Sequence, residues 1–490
     1  MSVERRSRRR LTIAAALAAL ACAATPAAAR STRFLSISPI PSANGSGDQF
    51  NAPVQAYAVS QDQRYTRYFA LVSAATNVVR GRGGRTDIFV LERGGAYANN
   101  GTPWKTGQIF APVHALDGGR PDGNSYAPSL DGGFYAPARC MAFISTARDL
   151  VPGGSNGQPQ AYVEDLATRN IRRVSVSTTG HQSNGPVTAV AIDEDCSRVA
   201  FIADATNLAL TRAGDGAARN VTSRPAHGPQ AYVRVISAAG YPAAEMNAGL
   251  VGTTFLASAN GRGAAANAPV TDLAFANYGA ELAFSSSATN LGVTSSGLSN
   301  VYEAELGYGA GPMGSHPYAP VQRHVFLVSR TRAGRGGNGL SDHPAMSVDG
   351  GYVAYHTDAS NILPHDTAGV GEIVRAATFE HPIGEQWVTG APGGRGVEGD
   401  GPSDDPTMTW GAFIIEYQSQ ATNLTTDATH LLGTPSILSW DQTFDASRLE
   451  SRNASGNPFQ QPASDPVTSY FGNYMLFTVD GQVWLRYAPK

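Results

Sequence analysis

Two histidines and the carboxylates near them are the side chains of this sequence best suited to metal binding or acid–base chemistry. His343 and His356 flank a predicted hairpin turn, with Asp342 beside the first and Asp366 ten residues after the second. An imidazole and a carboxylate at close range can share a metal ion or exchange a proton. The ten histidines of the chain do not cluster with metal-ligand spacing, so we favour a solvated or hydrogen-bonded pair over a metal or catalytic site.

An acidic run follows these histidines along the chain and contains Glu398, Asp400, Asp404 and Asp405. Carboxylates of this kind could bind a cation, but a solvated connecting loop explains the run equally well. The sequence therefore assigns no catalytic residue, no metal ligand and no cofactor site.

Three glycine motifs match functional patterns by chance. Residues 153–157 fit the G-x-S-x-G pattern of a nucleophile elbow, which needs a strand-to-helix turn, whereas this segment lies between two predicted strands. Residues 334–339 and 394–399 fit G-x-G-x-x-G, but no predicted helix follows to bind a phosphate. With 54 glycines in the chain, such matches are expected.

The elements that position all of these residues belong to a repeated phrase. Its clearest copies are VAFIADATN (199–207), LAFSSSATN (282–290) and VAYHTDASN (353–361). The phrase occurs seven times, and its aligned apolar residues, 58 to 83 residues apart, are Leu71, Phe143, Phe201, Phe284, Tyr355, Tyr417 and Phe477. A supersecondary unit that recurs at this period indicates a solenoid, a propeller or an array.

Each repeat is predicted to contain four short antiparallel strands. The phrase forms the second strand of a hairpin, and turn residues such as Asp349-Gly350-Gly351 supply the positive φ angles that tight hairpins need. Two further apolar segments follow, without a helical period between them, which describes a propeller blade. A proline opens each unit: Pro53, Pro128, Pro186, Pro269, Pro344, Pro406 and Pro466.

The two chain ends indicate how the ring closes. The last unit has only three predicted strands, whereas residues 33–38 (RFLSIS) form an orphan strand near the N-terminus. We therefore predict an all-β, seven-bladed β-propeller of four-stranded antiparallel blades, in which the N-terminal strand completes the last blade and removes an open sheet edge. Six blades is the alternative if the degenerate last unit packs differently.

The asparagine that ends the phrase recurs in five repeats, as Asn77, Asn207, Asn290, Asn361 and Asn423. Recurrence at equivalent positions indicates loop-capping hydrogen bonds rather than one catalytic site.

Cys140 and Cys196 lie shortly before the aligned phenylalanines of adjacent repeats. In an exported protein they could form a disulfide between blades 2 and 3. Two buried thiols are the alternative, because sequence spacing does not fix the geometry.

The first 29 residues are predicted to be an export signal. Five arginines precede an apolar stretch that begins at Leu11, and three alanines precede Arg30, so we expect cleavage near Ala29 by either the general secretory or the twin-arginine route. The apolar stretch is too short to cross a bilayer. Residues 30–490 are then one propeller domain, secreted or periplasmic.

The charge of the chain argues against a nucleic-acid partner. The formal net charge is −3, and loss of residues 1–29 would change it to about −7, whereas phosphate binding needs clustered Lys and Arg.

The segments PSLDGG, AFSSSATNL and SVDGGYVAYHT resemble the TolB-like, WD-like β-propeller repeats of bacterial exported proteins. The resemblance covers nearly all of the chain after residue 29. It implies a propeller in the envelope or outside the cell, but it implies no single activity. Related repeats often carry acidic residues in the loop after the phrase, where calcium could bind. The corresponding loops here mostly lack Asp, so the resemblance gives no calcium site.

The long connections of the blades are the predicted binding surface. Connections between blades and between second and third strands emerge on one face of a propeller, and include residues 208–229, 391–405 and 453–465. Because recognition usually lies on such loops, we expect a monomeric, non-catalytic exported propeller that binds a protein or a cell-envelope glycan. A polysaccharide lyase or hydrolase with its site at the central channel is the main alternative, and a purely structural surface protein is a third.

Overall fold

The computed structural model describes residues 30–35, 37–41, 47–63, 65–95, 103–134, 136–208, 228–239, 247–260, 263–276, 279–291, 296–306, 325–364, 369–378, 385–392, 397–426 and 433–488. The proposed signal segment, Asp366 and most of residues 208–229 lie outside these ranges.

Thirty β-strands lie in the described residues, and all but two of them form seven four-stranded sheets. The N-terminal strands are β1 (Ser31–Phe34), β2 (Ile37–Pro41) and β3 (Gly47–Gln49). Blade 1 contains β4 (Val54–Val59), β5 (Tyr68–Ser73), β6 (Asp87–Arg93) and β7 (Thr106–Phe110). Blade 2 contains β8 (Ser125–Leu130), β9 (Cys140–Ser145), β10 (Gln160–Asp165) and β11 (Asn170–Arg173). Blade 3 contains β12 (Val187–Ile192), β13 (Arg198–Ala203), β14 (Gln230–Val235) and β15 (Thr254–Leu256).

The remaining blades repeat this order. Blade 4 contains β16 (Val270–Ala276), β17 (Glu281–Ser286), β18 (Asn300–Glu305) and β19 (Val325–Leu327). Blade 5 contains β20 (Ser341–Met346), β21 (Tyr352–Thr357), β22 (Glu372–Ala377) and β23 (Glu385–Trp387). Blade 6 contains β24 (Ser403–Met408), β25 (Ile414–Ser419), β26 (Ser436–Asp441) and β27 (Ala446–Leu449). Blade 7 contains β28 (Ala463–Thr468), β29 (Tyr474–Val479) and β30 (Gln482–Tyr487), followed in space by β1.

The predicted ring closure is confirmed. β1 pairs antiparallel with β30, so the strand order of blade 7 is β1-β30-β29-β28. The closing strand ends at Phe34, earlier than the predicted 33–38, since after the Leu35 N–H, which still donates to the Val483 carbonyl at 2.9 Å, residues 37–41 belong to a separate β2–β3 hairpin. The described structure thus has seven blades rather than six.

A buried ion-pair network joins the closing strand to blade 6. Glu450 is almost fully buried and accepts hydrogen bonds from Arg486 Nε at 2.9 Å and Arg30 Nη1 at 2.5 Å. Arg486 also donates to Thr32 Oγ1 at 3.0 Å. Because Glu450 lies in blade 6 while both arginines lie in blade 7, the network holds the closed ring together.

The hydrophobic core consists of seven clusters of described side chains, and each cluster joins two neighbouring blades. In blades 2, 3 and 4, the aligned phenylalanine of the second strand stacks on a tyrosine of the third strand. Phe143 and Tyr162 illustrate this, with ring centroids 5.6 Å apart. Such cross-strand pairs stabilise sheets, which explains why the repeated phrase keeps a large apolar residue there.

The first strand of each blade lines the central channel, where first strands of neighbouring blades contact one another. Prolines occupy two different places here. Pro53, Pro186 and Pro269 directly precede a first strand. In the other four blades the proline lies inside the first strand, at a β-bulge where two residues oppose the aligned aromatic: Pro128, Pro344, Pro406 and Pro466. A bulge on an edge strand tolerates proline because that residue donates no ladder hydrogen bond.

The residue before each bulge proline has a positive φ angle. These residues are Ala127 (φ 51°), His343 (φ 46°), Asp405 (φ 51°) and Asp465 (φ 55°). L-residues rarely adopt this conformation, and bulges are commonly used to redirect a side chain. From the sequence alone, all seven prolines were predicted to be equivalent, and this difference was not predicted.

The predicted capping role of the phrase asparagines is confirmed. In blade 3, Asn207 Oδ1 accepts the Asn184 amide at 3.0 Å, and Asn207 Nδ2 donates to the Gln182 carbonyl at 2.7 Å. Asn77, Asn290 and Asn423 make the same two bonds in their blades, and Asn361 makes the first. These bonds tie the loop after the second strand to the connection entering the same blade.

The two faces of the ring differ in their connections, although less than predicted. The long-loop face carries the connections between blades and between second and third strands. The turn face carries the short hairpin turns between first and second strands, but β14 and β18 also end there, and 18 and 19 residues follow them in the sequence before β15 and β19 begin. The predicted contrast in loop length therefore holds for the hairpin turns and not for the whole face.

The structure joins Cys140 to Cys196, with a Cα–Cα separation of 5.9 Å. Cys140 begins β9 and Cys196 lies in the hairpin turn before β13, so the link connects blades 2 and 3 at the turn face. In the described residues there is no helix long and apolar enough to cross a membrane.

Candidate functional site

Among the described residues, a group of ionisable side chains lies at the mouth of the central channel on the long-loop face. It is formed where the first strands of blades 4 to 7 begin, and we call it the channel mouth. Its residues are Asp272, Asp342, His343, His356, Asp404, Asp405 and Asp465. The bulges described above place His343, Asp405 and Asp465 at equivalent positions of three consecutive blades.

The bulge histidine of blade 5 meets two carboxylates of blade 6. His343 Nδ1 lies 2.7 Å from Asp404 Oδ1 and 3.7 Å from Asp405 Oδ1. The Asp405 backbone N–H donates to Asp404 Oδ1 at 2.8 Å, which orients that carboxylate. All three side chains are roughly half-exposed, so the cluster is open to a ligand from the channel.

A second imidazole–carboxylate pair lies beside the first. His356, near the end of β21, has Nδ1 2.7 Å from Asp342 Oδ1 and Nε2 3.4 Å from Asp358 Oδ1. The ring centroids of His343 and His356 are 6.4 Å apart. The Cα of Gly371 packs against the His356 ring, since a Cβ at that position would lie 2.4 Å from Nε2.

The acids of the channel mouth control the charge of both imidazoles. The hydrogen bond to Asp404 raises the pKa of His343 to about 9, against the opposing effect of burial, with further help from the charges of Asp342 and Asp272. Burial lowers the pKa of His356, but the Asp342 hydrogen bond and neighbouring carboxylates outweigh it and raise that pKa overall. Both rings are therefore biased towards the protonated form.

The carboxylates of blade 6 respond in opposite directions. Burial raises the pKa of Asp404, but the hydrogen bond from His343 and the Asp405 amide outweigh it, and the net pKa is lowered. Burial and the Asp404 charge raise the pKa of Asp405, with His343 opposing them. One ionised carboxylate thus lies beside one that is harder to ionise.

Blades 1 and 7 continue the polar rim. Tyr57 donates its hydroxyl hydrogen to the Asp465 backbone carbonyl and accepts a hydrogen bond from Thr478 at 3.0 Å. Burial raises the pKa of Tyr57 well above its usual value. Ser464 Oγ donates to Asp465 Oδ2 at 2.6 Å, so the Asp465 carboxylate is held at the rim.

The structure brings together residues that lie in two separate segments of the sequence. The histidine pair and the acidic run appeared as two candidates, yet His343, Asp404 and Asp405 form one cluster. Asp400 does not join it, because its carboxylate caps Thr422. The Glu398 carbonyl accepts the Asn423 side chain, in the repeated capping pattern. Aligning the dipeptides His343-Pro344 and Asp405-Pro406 would have revealed the cluster, since His343 and Asp405 each precede a bulge proline.

The opposite end of the channel contains a cavity of about 260 Å³ on the turn face. Its walls are mostly apolar and include Phe275, Met346 and Met408, with Asp193 and Glu194 at one side. Burial raises the pKa of both acids well above their usual values. Asp193 accepts hydrogen bonds from the backbone and hydroxyl of Ser197, so it stabilises a hairpin turn.

A further group of potential ligands consists of Asp131, Cys140 and Cys196. The two cysteines are joined to each other, so their sulfurs cannot act as thiolate ligands. Ser155, the serine of the glycine motif, lies in the loop between β9 and β10 and its Oγ accepts the Gly157 amide at 3.3 Å, as expected for a loop rather than a nucleophile elbow.

Comparison with known proteins gives structural similarities of low identity. No protein-family model and no curated protein matches the chain. Among solved structures, TolB from Acinetobacter baumannii is 10% identical over 74% of this chain and 80% of its own, with a TM-score of 0.34. The β-propeller domain of the Trilobed protease from Pyrococcus furiosus is 6% identical over 90% of this chain and 96% of its own, with a TM-score of 0.43.

The acylaminoacyl peptidase of Pyrococcus horikoshii is 8% identical over 89% of this chain and 51% of its own, with a TM-score of 0.43. The chain therefore spans about half the length of that peptidase. The strand pairing of the described residues determines the architecture without these similarities. The chain is a seven-bladed β-propeller closed by its N-terminal strand.

Proposed function

We propose that this protein is an exported, non-catalytic propeller that binds its partner through the long-loop face, with the channel mouth at the centre of the contact. The partner is a protein that presents a positively charged segment. The observation that carries the proposal is the convergence of carboxylates from four consecutive blades on one opening: Asp272, Asp342, Asp404, Asp405 and Asp465.

The charge of the channel mouth distinguishes between the expected partners. Carboxylates outnumber the two imidazoles there, so the mouth attracts Lys and Arg side chains and repels acidic polysaccharides. A neutral glycan gains nothing from this charge. A basic protein segment therefore fits the site better than an envelope glycan does.

The test uses a labelled peptide rich in Lys and Arg and its Glu-containing counterpart, measured by fluorescence anisotropy. We expect the basic peptide to bind, more weakly as salt rises, and the acidic one not to bind. The double variant Asp404→Asn/Asp465→Asn should weaken binding at least tenfold, because two carboxylates are lost.

Asp445→Asn is the matched control. Asp445 also has a positive φ, 45°, but it lies in the β26–β27 turn on the turn face, where it accepts the Trp440 indole N–H at 3.2 Å. Equal losses in the control and the double variant, or binding of a neutral glycan with no basic-peptide binding, would reject the proposed partner.

A polysaccharide lyase or hydrolase is the second candidate function. The observation in its favour is the presence of two imidazole–carboxylate pairs, His343–Asp404 and His356–Asp342, each at 2.7 Å. Such pairs can transfer protons. Release of unsaturated ends or reducing sugars from a polysaccharide panel, and its loss in His343→Asn, would establish catalysis in place of simple binding.

We further propose that residues 1–29 direct export and are removed. The basic segment followed by an apolar stretch and three alanines supports this. N-terminal sequencing of the protein recovered from the cell envelope or medium should begin at or near Arg30, and a protein that retains Met1 and the arginines would contradict cleavage.

A further inference from the structure

We propose that the channel mouth binds one divalent transition-metal ion, Zn²⁺ or Mn²⁺, through His343 Nδ1 and carboxylate oxygens of Asp404 and Asp405. This inference goes beyond the proposed partner binding, because it assigns a different ligand and does not depend on the partner's identity. It rests on the donor atoms, their spacing and the way in which two blades hold them.

The donor atoms are already close to ligand spacing. His343 Nδ1 lies 2.7 Å from Asp404 Oδ1 and 3.7 Å from Asp405 Oδ1, and one donor atom from each side chain lies within 4.8 Å of the others. Around an ion with bonds of about 2.1 Å, tetrahedral ligand atoms are separated by roughly 3.4 Å. The observed distances lie on both sides of that value, so small side-chain rotations would bring the three donor atoms to the spacing that a bound ion needs.

The scaffold presents these donors before any ligand arrives. His343 and Asp405 occupy the same bulge position in adjacent blades, and Asp404 immediately precedes Asp405. The first strands that carry them are paired to β21 and β25 and contact each other across the blade interface. Binding therefore needs little ordering of the backbone, which lowers its cost.

Local hydrogen bonds support the same geometry. The Asp405 amide donates to Asp404 Oδ1 at 2.8 Å, which orients the carboxylate as outer partners of metal ligands usually do. The metal ion would replace the proton that His343 Nδ1 and Asp404 Oδ1 now share. Because the three side chains are half-exposed, further coordination positions remain open to water or to another ligand.

The donor set selects the class of ion. Ca²⁺ prefers six to eight oxygen ligands, and Mg²⁺ prefers an octahedral shell that keeps several waters. One imidazole with two carboxylates suits Zn²⁺ and, with added waters, Mn²⁺. The residues therefore indicate a transition metal rather than the calcium that was considered for related repeats.

The experiment is isothermal titration of ZnCl₂ and MnCl₂ into the metal-free full chain, which carries no polyhistidine tag. We expect one ion per chain, and at least tenfold weaker binding in His343→Asn and in Asp405→Asn. Asparagine tolerates a positive φ angle, so both variants should keep the fold, and circular dichroism checks this. Thermal melting provides a second readout, since the bound ion should raise the Tm of the wild type but not of the variants.

Two controls separate this site from general metal binding. Asp445→Asn changes a positive-φ aspartate on the turn face, and His181→Gln removes an exposed histidine that contacts Thr179. Both should bind Zn²⁺ within twofold of the wild type. Absence of stoichiometric Zn²⁺ or Mn²⁺ binding, or equal losses in Asp445→Asn and Asp405→Asn, would overturn the metal site.

The peptide assay keeps the two proposals distinguishable. Metal binding without basic-peptide binding would leave the site assignment intact and reject the proposed partner. Basic-peptide binding without metal binding would do the reverse. If both bind, the metal ion should lower the affinity for the basic peptide, because both ligands use Asp404 and Asp405.

Discussion

The two ends of the central channel are built from the same seven first strands but use acidic residues in different ways. At the channel mouth, where the strands begin, carboxylates such as Asp404 are half-exposed and lie beside imidazoles. At the turn face, where the strands end, Asp62, Asp131 and Asp193 are buried and accept hydrogen bonds from a hairpin turn. Acids near the start of the first strands are thus exposed at the channel mouth, whereas acids just after these strands are buried and hydrogen-bonded to hairpin turns.

The difference is visible in the pKa values. Hydrogen bonding to His343 lowers the pKa of Asp404 in spite of burial, which favours the ionised form. Burial raises the pKa of Asp131 well above its usual range, although the amides of Arg139 and Cys140 oppose this. Changes at the turn face should therefore alter stability, and changes at the channel mouth should alter binding.

The largest effect on stability is expected for the inter-blade cysteines at the turn face. The link between Cys140 and Cys196 spans a sequence separation of 56, and a loop of that size corresponds to about 4 kcal/mol of stabilisation in the chain-entropy account, less any strain. Denaturant unfolding of Cys140→Ser/Cys196→Ser should show a loss of that order, with ligand binding at the channel mouth unchanged.

Thiol titration of the denatured, unreduced protein that lacks residues 1–29 checks the bond itself. No free thiol is expected. Two free thiols per chain would show that the bond does not form, and the double variant should then lose much less stability.

A smaller effect is expected for a hairpin-turn acid. Asp131 Oδ1 accepts the backbone N–H groups of Arg139 at 2.7 Å and Cys140 at 2.8 Å. Asp131→Ala leaves two buried donors unsatisfied and should lower the free energy of unfolding by about 2 to 4 kcal/mol. Asp131→Asn keeps an acceptor oxygen and should cost much less.

The comparison at the channel mouth uses Asp404→Asn. Its carboxylate is about 40% exposed, so its loss should change stability by less than about 1 kcal/mol. Urea titrations of the three variants measure both predictions. Equal destabilisation by Asp131→Ala and Asp404→Asn would refute the division of roles between the two ends.

Much of the fold could be predicted from the sequence because the repeat reports local structure. The aligned residues, from Leu71 to Phe477, lie on the second strand of every blade, and their recurrence indicated the blade count. The unpaired segment near the N-terminus indicated the ring closure. Both features depend on local patterns of apolar and turn residues, which can be identified in one sequence.

The channel mouth was harder to predict because its contacts join different blades. His343 and Asp404 are 61 residues apart, and only the repeat alignment, which places Pro344 and Pro406 at equivalent bulges, relates them. The bulges also depend on an unusual backbone angle before a proline, which the repeat alignment did not separate from prolines that merely precede a strand. The sequence therefore identified the candidate residues but not the contacts between them.

The smallest expected effect is a difference in pH response between the two ends. Burial raises the pKa of Asp62 from 3.8 to about 6, with the Arg67 amide and Ser60 hydroxyl opposing it. Its folded-state pKa exceeds the unfolded value, so its contribution to stability is full below about pH 4 and is lost as the pH rises through 6. For His343, whose pKa rises from 6.5 to about 9, the contribution is full below about pH 6.5 and is lost as the pH rises through 9. The His343 effect is the smaller one, because solvent screens its half-exposed ring.

Urea unfolding at pH 3.5 to 9.5 with EDTA present should show both declines in stability. Asp62→Asn should reduce the first without removing it, since Asp131, Asp193 and Glu194 titrate in the same direction. His343→Asn should flatten the second. A decline between pH 6.5 and 9 that persists in His343→Asn would show that the imidazole at the channel mouth is not its source.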